Sequence, residues 1–151
     1  MRLYTFCNFY LSSIQQGIQP AHVVANMFAK YSGSTTQNHE SYSLFEWAKN
    51  HKTMICLNGG NAADIREVWE KVQQLGRELG LAHGCFHEDE QSLDGTMTCV
   101  GIVVPTKIYE YNDQVIALAQ NTLAIFDDQR IVLDGNEWAL ADLISKHGLA
   151  K

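Results

Sequence analysis

The stretch Glu78-Leu79-Gly80-Leu81-Ala82-His83-Gly84-Cys85-Phe86-His87-Glu88-Asp89, followed by Gly95-Thr96-Met97-Thr98-Cys99-Val100-Gly101-Ile102, decides how this chain is read. It reads as the end of a helix, a short strand over residues 83–87, an acidic loop, and a second strand over 96–104 that stops before Pro105. Carboxylates, a histidine and hydroxyls therefore fall at two neighbouring strand ends.

Immediately upstream, Ile65, Val68, Trp69, Val72, Leu75 and Leu79 recur on one helical face. A helix over 62–79 is expected to pack Val68, Trp69, Val72 and Leu75 onto a sheet, with Asn61 or Asp64 near its start. Asn58-Gly59-Gly60-Asn61 is a turn, and residues 53–57 form a buried strand before it. The aromatic-rich residues 3–10 read as the first strand. Residues 12–19 are polar, contain Gly17 and read as a loop, so Pro20 is expected in the first turn of a helix. That helix carries Val23, Val24, Met27, Phe28 and Tyr31 and is ended by Gly33. A polar loop over 32–41 and a short helix around Leu44, Phe45, Trp47 and Ala48 follow. Beyond Asn112, Val115, Ile116, Leu118, Ala119, Leu123 and Ile125 predict one helix, and Trp138, Leu140, Ala141, Leu143 and Ile144 predict a last one. The expected fold is α/β: a four-stranded mixed sheet flanked by helices, in one domain over 1–151, with 112–151 as a C-terminal helical extension.

Composition agrees with one globular domain. The 151 residues are 46% hydrophobic and 19% charged, enough for a real core. No apolar run reaches the roughly 18 residues that cross a bilayer, and no signal peptide is read at the N-terminus. A cytoplasmic location and no membrane partner are expected. Cys7, Cys56, Cys85 and Cys99 lack ligand spacing and sit in apolar segments, so they read as free thiols. The formal charge of −6, from 17 acidic and 11 basic residues, disfavours tRNA or another long polyanion, whose binding draws on a basic footprint. A small ligand is favoured.

The chain resembles the archaeal/eukaryotic-type peptidyl-tRNA hydrolase family over about residues 2–110. Leu79-Gly80-Leu81 is similar to the family's L-G-L before strand three. Trp47 and Lys52-Thr53-Met54-Ile55 are similar to its tryptophan, lysine and second strand. Its Q-D-A-G loop aligns with His87-Glu88-Asp89-Glu90, and its G-[ST]-x-T with Gly95-Thr96-Met97-Thr98. Its M-G-K-G-K loop and I-A-A-Q helix start fall on Ile14-Gln15-Gln16-Gly17-Ile18 and Gln19-Pro20-Ala21-His22. The resemblance implies the fold, and it implies a site built from the loop after strand one, the acidic residue and Thr98. Gln16 and Ile18 stand where the family has lysines, Glu88 replaces its aspartate with Asp89 as a competing alignment, and the loop is shorter. Loss of both lysines weakens phosphate attraction and oxyanion stabilisation.

His22, His87, Glu88 and Asp89 are the sharpest cluster: a histidine with a carboxylate can do acid–base work near neutral pH. Ordinary surface acids beside a loop histidine would read the same way. His22 or His87 is assigned the acid/base role, Glu88 or Asp89 orients water or histidine, and Thr98 holds an oxygen. Gln16, Gly17 and Thr96 are candidate substrate contacts, although strand propensity accounts for Thr96 and a turn for Gly17. Asn58-Gly59-Gly60-Asn61 lacks a Walker lysine or G-x-G-x-x-G, so it reads as a plain turn. No H-E-x-x-H or similar arrangement supports a metal at His87, Glu88 and Asp89, and no cofactor is expected. His39, His51 and His83 read as scattered.

The expected function is hydrolysis of a small nucleotide, in the form of a phosphodiesterase degrading a cyclic nucleotide signal. Peptidyl-tRNA ester cleavage and non-catalytic nucleotide sequestration are the alternatives. A homodimer through Val115, Leu118, Leu123 and Trp138 is expected, with packing of the tail onto its own domain as the other outcome.

Overall fold

The computed structural model describes residues 1–32, 38–89, 91, 95–120 and 130–150. Four strands form one mixed sheet: β1 (Arg2–Cys7), β2 (Met54–Asn58), β3 (His83–His87) and β4 (Met97–Val104). Their spatial order is β2-β1-β4-β3. β1 runs parallel to β2, and β4 is antiparallel to both β1 and β3. The carboxyl ends of β1, β2 and β3 and the amino end of β4 therefore share one edge of the sheet.

Helices α1 (Ser13–Tyr31) and α2 (His39–Glu46) cover one face, joined to β2 by a π turn over Trp47–His51. On this side Leu3, Cys7, Val23, Met27, Leu44, Trp47, Cys99 and Val103 form a core. Helices α3 (Ala62–Leu79), α4 (Thr106–Ala119) and α5 (Gly135–Ser145) belong to the other face. The larger core lies there, with Phe6, Ile65, Val72, Val100, Ile102, Ile108 and Leu140 all at or near zero exposure. β4 is buried along its whole length, as a central strand between two helical layers must be.

Several expected boundaries moved. β1 ends at Cys7, and Phe9 and Tyr10 stand outside it at 43% and 76% exposure. Helix α1 begins at Ser13 rather than at Pro20. Ser12 accepts a hydrogen bond from the Gln15 amide, and the Gln15 side chain accepts one from the Ser12 amide, a reciprocal cap that starts the helix. Pro20 lies inside α1, where its missing N–H frees the Gln16 carbonyl. The Cys7 thiol donates to that carbonyl at 3.6 Å. Helix α4 begins at Thr106, six residues before Asn112, directly after Pro105 at its N-cap. Asn38 caps α2, so residues 38–41 belong to that helix and its start. Gly33, Leu123 and Ile125 lie outside the described residues.

Helix α3 follows the expectation, capped by Asn61 and Asp64 in a reciprocal box and closed by Gly80 in the left-handed region. Ile65, Val68, Val72 and Leu75 are buried, and Trp69 is half-buried against the same core. The tail is part of the core: α5 contributes Leu140, Ala141, Leu143 and Ile144. The chain after α5 bonds to β2, with Asn58 N–H donating to the Gly148 carbonyl and Ala150 N–H to the Cys56 carbonyl. Among the described residues no helix is long and apolar enough to cross a membrane.

How close α1 sits to the sheet is set by two glycines. Gly84 and Gly101 are cross-strand partners. A Cβ on Gly84 would lie 2.7 Å from Met27 Cγ, and one on Gly101 2.8 Å from Val23 Cγ1. The bare glycine pair lets Val23 and Met27 drop onto the sheet.

Candidate functional site

Helix α1 lies along β3 in a ladder of paired side chains. The Asn26 amide donates to the Cys85 carbonyl at 3.0 Å. One turn earlier, the His22 ring stacks on Phe86 with centroids 4.3 Å apart and planes 13° apart. One turn earlier again, Gln19 Nε2 donates to Glu88 Oε1 at 2.6 Å. Gln19 Oε1 in turn accepts from the Thr98 hydroxyl at 2.8 Å. Gln19 is 4% exposed and Thr98 fully buried, so both amide ends are fixed in place. A buried amide satisfied at both ends holds its partners in one geometry. Glu88 is half-buried, with Oε1 engaged by the amide.

A β-bulge aims Thr98 at Gln19. The β3–β4 register steps from Phe86–Cys99 to His87–Met97, leaving Thr98 as the extra residue of β4. Cys99 belongs to the α1-side core and Met97 to the α3-side core. The extra residue lets Thr98 turn to the α1 side beside Cys99. The Thr98 carbonyl accepts the Asn8 amide at 3.0 Å, which ties the end of β1 to the same point.

The structure therefore joins Glu88 and Thr98 through Gln19 and sets the His22–Phe86 stack alongside. His22 is exposed on its outer side. His87 is used elsewhere: its Nδ1 meets the Gly95 carbonyl at 3.0 Å. Asp89 is exposed, and its carbonyl accepts the Gly95 amide at 3.4 Å. Thr96 contributes a backbone carbonyl to the Glu88 amide. Gln16 is buried and donates to the Leu11 carbonyl at 2.7 Å, holding the β1–α1 connection. Gly17 is an exposed residue within α1 with no atom within 4 Å of a Cβ placed on it, so no turn requires it. Ile18, at a position that the resemblance gives to lysine, is 49% exposed.

Gln19 is the residue that sequence reading missed. Gln16, Gln19, Val23 and Met27 fall on one helical stripe, and Val23 and Met27 are plainly core residues. A glutamine on such a stripe must be hydrogen-bonded. Treating 12–19 as a loop hid that signal.

An opening lies at the β1–β2 end of the same edge. It is a cleft of about 760 Å³ whose walls include Phe9, Asn58, Glu67, Val68, Lys71 and Lys146. Here β1 leads to α1 on one face and β2 leads to α3 on the other, the arrangement that opens crevices in α/β sheets. The turn amides do not point into it as a phosphate cradle. Gly59 N–H donates to the Cys7 carbonyl, Gly60 N–H to Asn58 Oδ1, and Asn61 N–H to Asp64 Oδ2. Ala63 and Asp64 N–H both donate to Asn61 Oδ1.

His83 is a core residue, 1% exposed, packed near Trp69 with a ring-centroid distance of 6.0 Å. Its Nδ1–H donates to the Leu81 carbonyl at 2.8 Å. Burial lowers its pKa, opposed by that hydrogen bond. The four cysteines are free, with Cys7 and Cys99 Sγ atoms 3.3 Å apart. Cys7 is held above its ordinary value: its hydrogen bond with Cys56 pulls it down, but its hydrogen bond with Cys99 and burial outweigh that. Its hydrogen bond with Cys7, followed by burial, raises Cys56, and burial raises Cys85. Such thiols are poor nucleophiles. Among the described residues no group of three or more His, Cys, Asp or Glu side chains is placed to hold a metal ion.

No protein-family model matches the chain, and no curated protein is detectably similar to it in sequence.

Proposed function

We propose that this protein is a hydrolase of a small nucleotide, cleaving a phosphodiester of the cyclic-nucleotide type at the Glu88–Gln19–Thr98 relay. The observation that carries the reading is the relay itself. A buried amide holds a half-exposed carboxylate at the strand edge, with Thr98 fixing the amide from behind. A fixed carboxylate with an oxygen left for water is suited to general-base catalysis. Glu88 orients and deprotonates the attacking water. His22, stacked on Phe86 one helical turn away, is the proton donor to the leaving oxygen. Gln19 and Thr98 are positioning residues.

The described chain runs β-α-α-β-α-β-β-α-α, an α/β order compatible with the fold that the resemblance implies, and this supports a hydrolase of that kind. The exposed Ile18 and the acidic balance favour a small nucleotide over tRNA. A homodimer through the exposed Val115, Leu118 and Trp138 belongs to the same proposal. Light scattering that returns a monomer at micromolar concentration ends it.

The test is product analysis after incubation with cyclic nucleotides, linear dinucleotides and peptidyl-tRNA. Cleavage of a nucleotide, lost in Glu88→Gln, is expected. Cleavage of peptidyl-tRNA alone replaces this reading with ester hydrolysis, and tight binding without product replaces it with sequestration.

A further inference from the structure

The cleft at the β1–β2 end shares no side chain with the relay. The cleft opens where β1 and β2 end, and Glu88 follows β3, with β4 between β1 and β3. Gln16, at the cleft wall, lies one turn of α1 before Gln19. From β1 to β3 the spacing is two strands, roughly 10 Å at ~4.8 Å per strand. A volume of about 760 Å³ falls within the range of small-molecule sites, ~300–1,000 Å³.

Its walls divide by chemistry. On one side Phe9 is 43% exposed, although it is a large aromatic residue. Its backbone N–H donates to the Gly60 carbonyl at 3.1 Å, which fixes the residue at the cleft wall. One part of the ring meets Tyr10, with centroids 4.0 Å apart. A planar ligand can stack on what remains. On the other side α3 presents Asp64, Glu67 and Lys71, with the Asp64 carboxylate engaged by the Asn61 N–H, and Lys146 comes from the chain just after α5. The ion pairs of the described structure do not include Glu67 or Lys71, while Lys146 is paired with Asp142. Leaving Lys71 beside an open volume provides a cation for an anionic group. With the turn amides already engaged, the charge in the cleft comes from side chains.

We propose that this cleft is a binding site for a nucleoside monophosphate, separate from the relay. The base stacks on Phe9, the ribose hydroxyls donate to Glu67, and the phosphate is held by Lys71 with Lys146 behind it. Val68 supplies the apolar floor under the sugar and base. The inference rests on the nucleotide reading above for its ligand class, but not for any residue. The site holds a nucleotide without cleaving it.

The test is calorimetric titration of the full chain with adenosine monophosphate, adenosine and inorganic phosphate. The wild type should bind the monophosphate more tightly than either fragment. Lys71→Gln should weaken the monophosphate about tenfold and leave adenosine unchanged, because a charge-assisted contact is lost. Phe9→Ala should weaken both the monophosphate and adenosine about tenfold or more through lost stacking. Glu88→Gln should leave all three affinities within about twofold. Unchanged monophosphate binding in both Lys71→Gln and Phe9→Ala overturns the site, as does inorganic phosphate binding as tightly as the monophosphate. No monophosphate binding at millimolar concentration also overturns it. A loss in Glu88→Gln matching that in Lys71→Gln moves the nucleotide to the relay and overturns the separate site. Failure of the hydrolase reading shows differently: no turnover change in Glu88→Gln, with cleft binding intact.

Discussion

The two ends of the sheet edge use their polar groups in opposite ways. At the β3–β4 end, a buried hydroxyl and a buried amide are linked in a chain to a half-buried carboxylate. At the β1–β2 end the turn amides close on their own loop and leave an open cleft with an uncommitted lysine. The first arrangement is preorganised: its groups are already oriented and need no rearrangement to act. The second offers volume and charge, which suit holding a ligand. The proposed reacting centre and the proposed binding cleft thus share one strand edge without sharing a side chain.

The largest expected effect separates them. Glu88→Gln keeps the shape of the relay but removes its base, and turnover should fall about 10²–10⁴-fold. Thermal melting should be nearly unchanged. Full activity in this variant would remove chemistry from the β3–β4 end.

Gly101→Ala attacks the same end through packing. The added methyl meets Val23 and lifts α1 from the sheet. Overpacking of this kind costs about 1–3 kcal/mol. Urea unfolding should show the loss, and turnover should fall with it because Gln19 no longer reaches both partners. A stable variant with wild-type turnover would mean that the glycine pair does not set the relay.

Thr98→Val keeps strand shape and leaves Gln19 Oε1 without its donor, at a cost of about 1–2 kcal/mol. The same urea series measures it. Cleft binding should not respond, so a change there would couple the two ends.

Acid should weaken the fold through His83, at the start of β3 and away from the relay. Its pKa is depressed in the folded state, so below the unfolded value of ~6.5 the unfolded chain binds more protons. Its contribution to stability is present above that value and is lost as pH falls through ~6.5 toward the folded pKa. Urea midpoints at pH 7 and 5 should differ in this direction, and less so in His83→Gln. An equal pH dependence in both would clear His83.

The smallest effect lies between the two ends. Gly17→Ala fills open space in an exposed helix interior and should stabilise by about 0.5–1 kcal/mol. A raised melting temperature with unchanged turnover would show that no ligand needs the bare backbone there. A fall in turnover would place substrate across the first turns of α1.

The sequence by itself determined much of the frame. The apolar stripe of α3, the strand over 83–87, the caps at Asn61 and Asp64 and the α/β class follow from local periodicity and turn chemistry. These signals lie within one element, so they can be read along the chain. The start of α1 was also local, in the Ser12–Gln15 cap, but Pro20 and Gly17 masked it. The site was legible only in part: Glu88 and Thr98 were visible as strand-end polar groups, while Gln19 and the cleft were not. Only the tertiary structure decided that the tail joins the core, that His83 is buried and that Thr98 meets Glu88 through Gln19. Each depends on contacts between distant segments. The bulge at Thr98 exists only in the pairing of β3 with β4, and the reach of Gln19 depends on the Gly84–Gly101 pair that α1 rests on. Single-chain periodicity carries no record of such pairings, because the energy that fixes them is shared between elements.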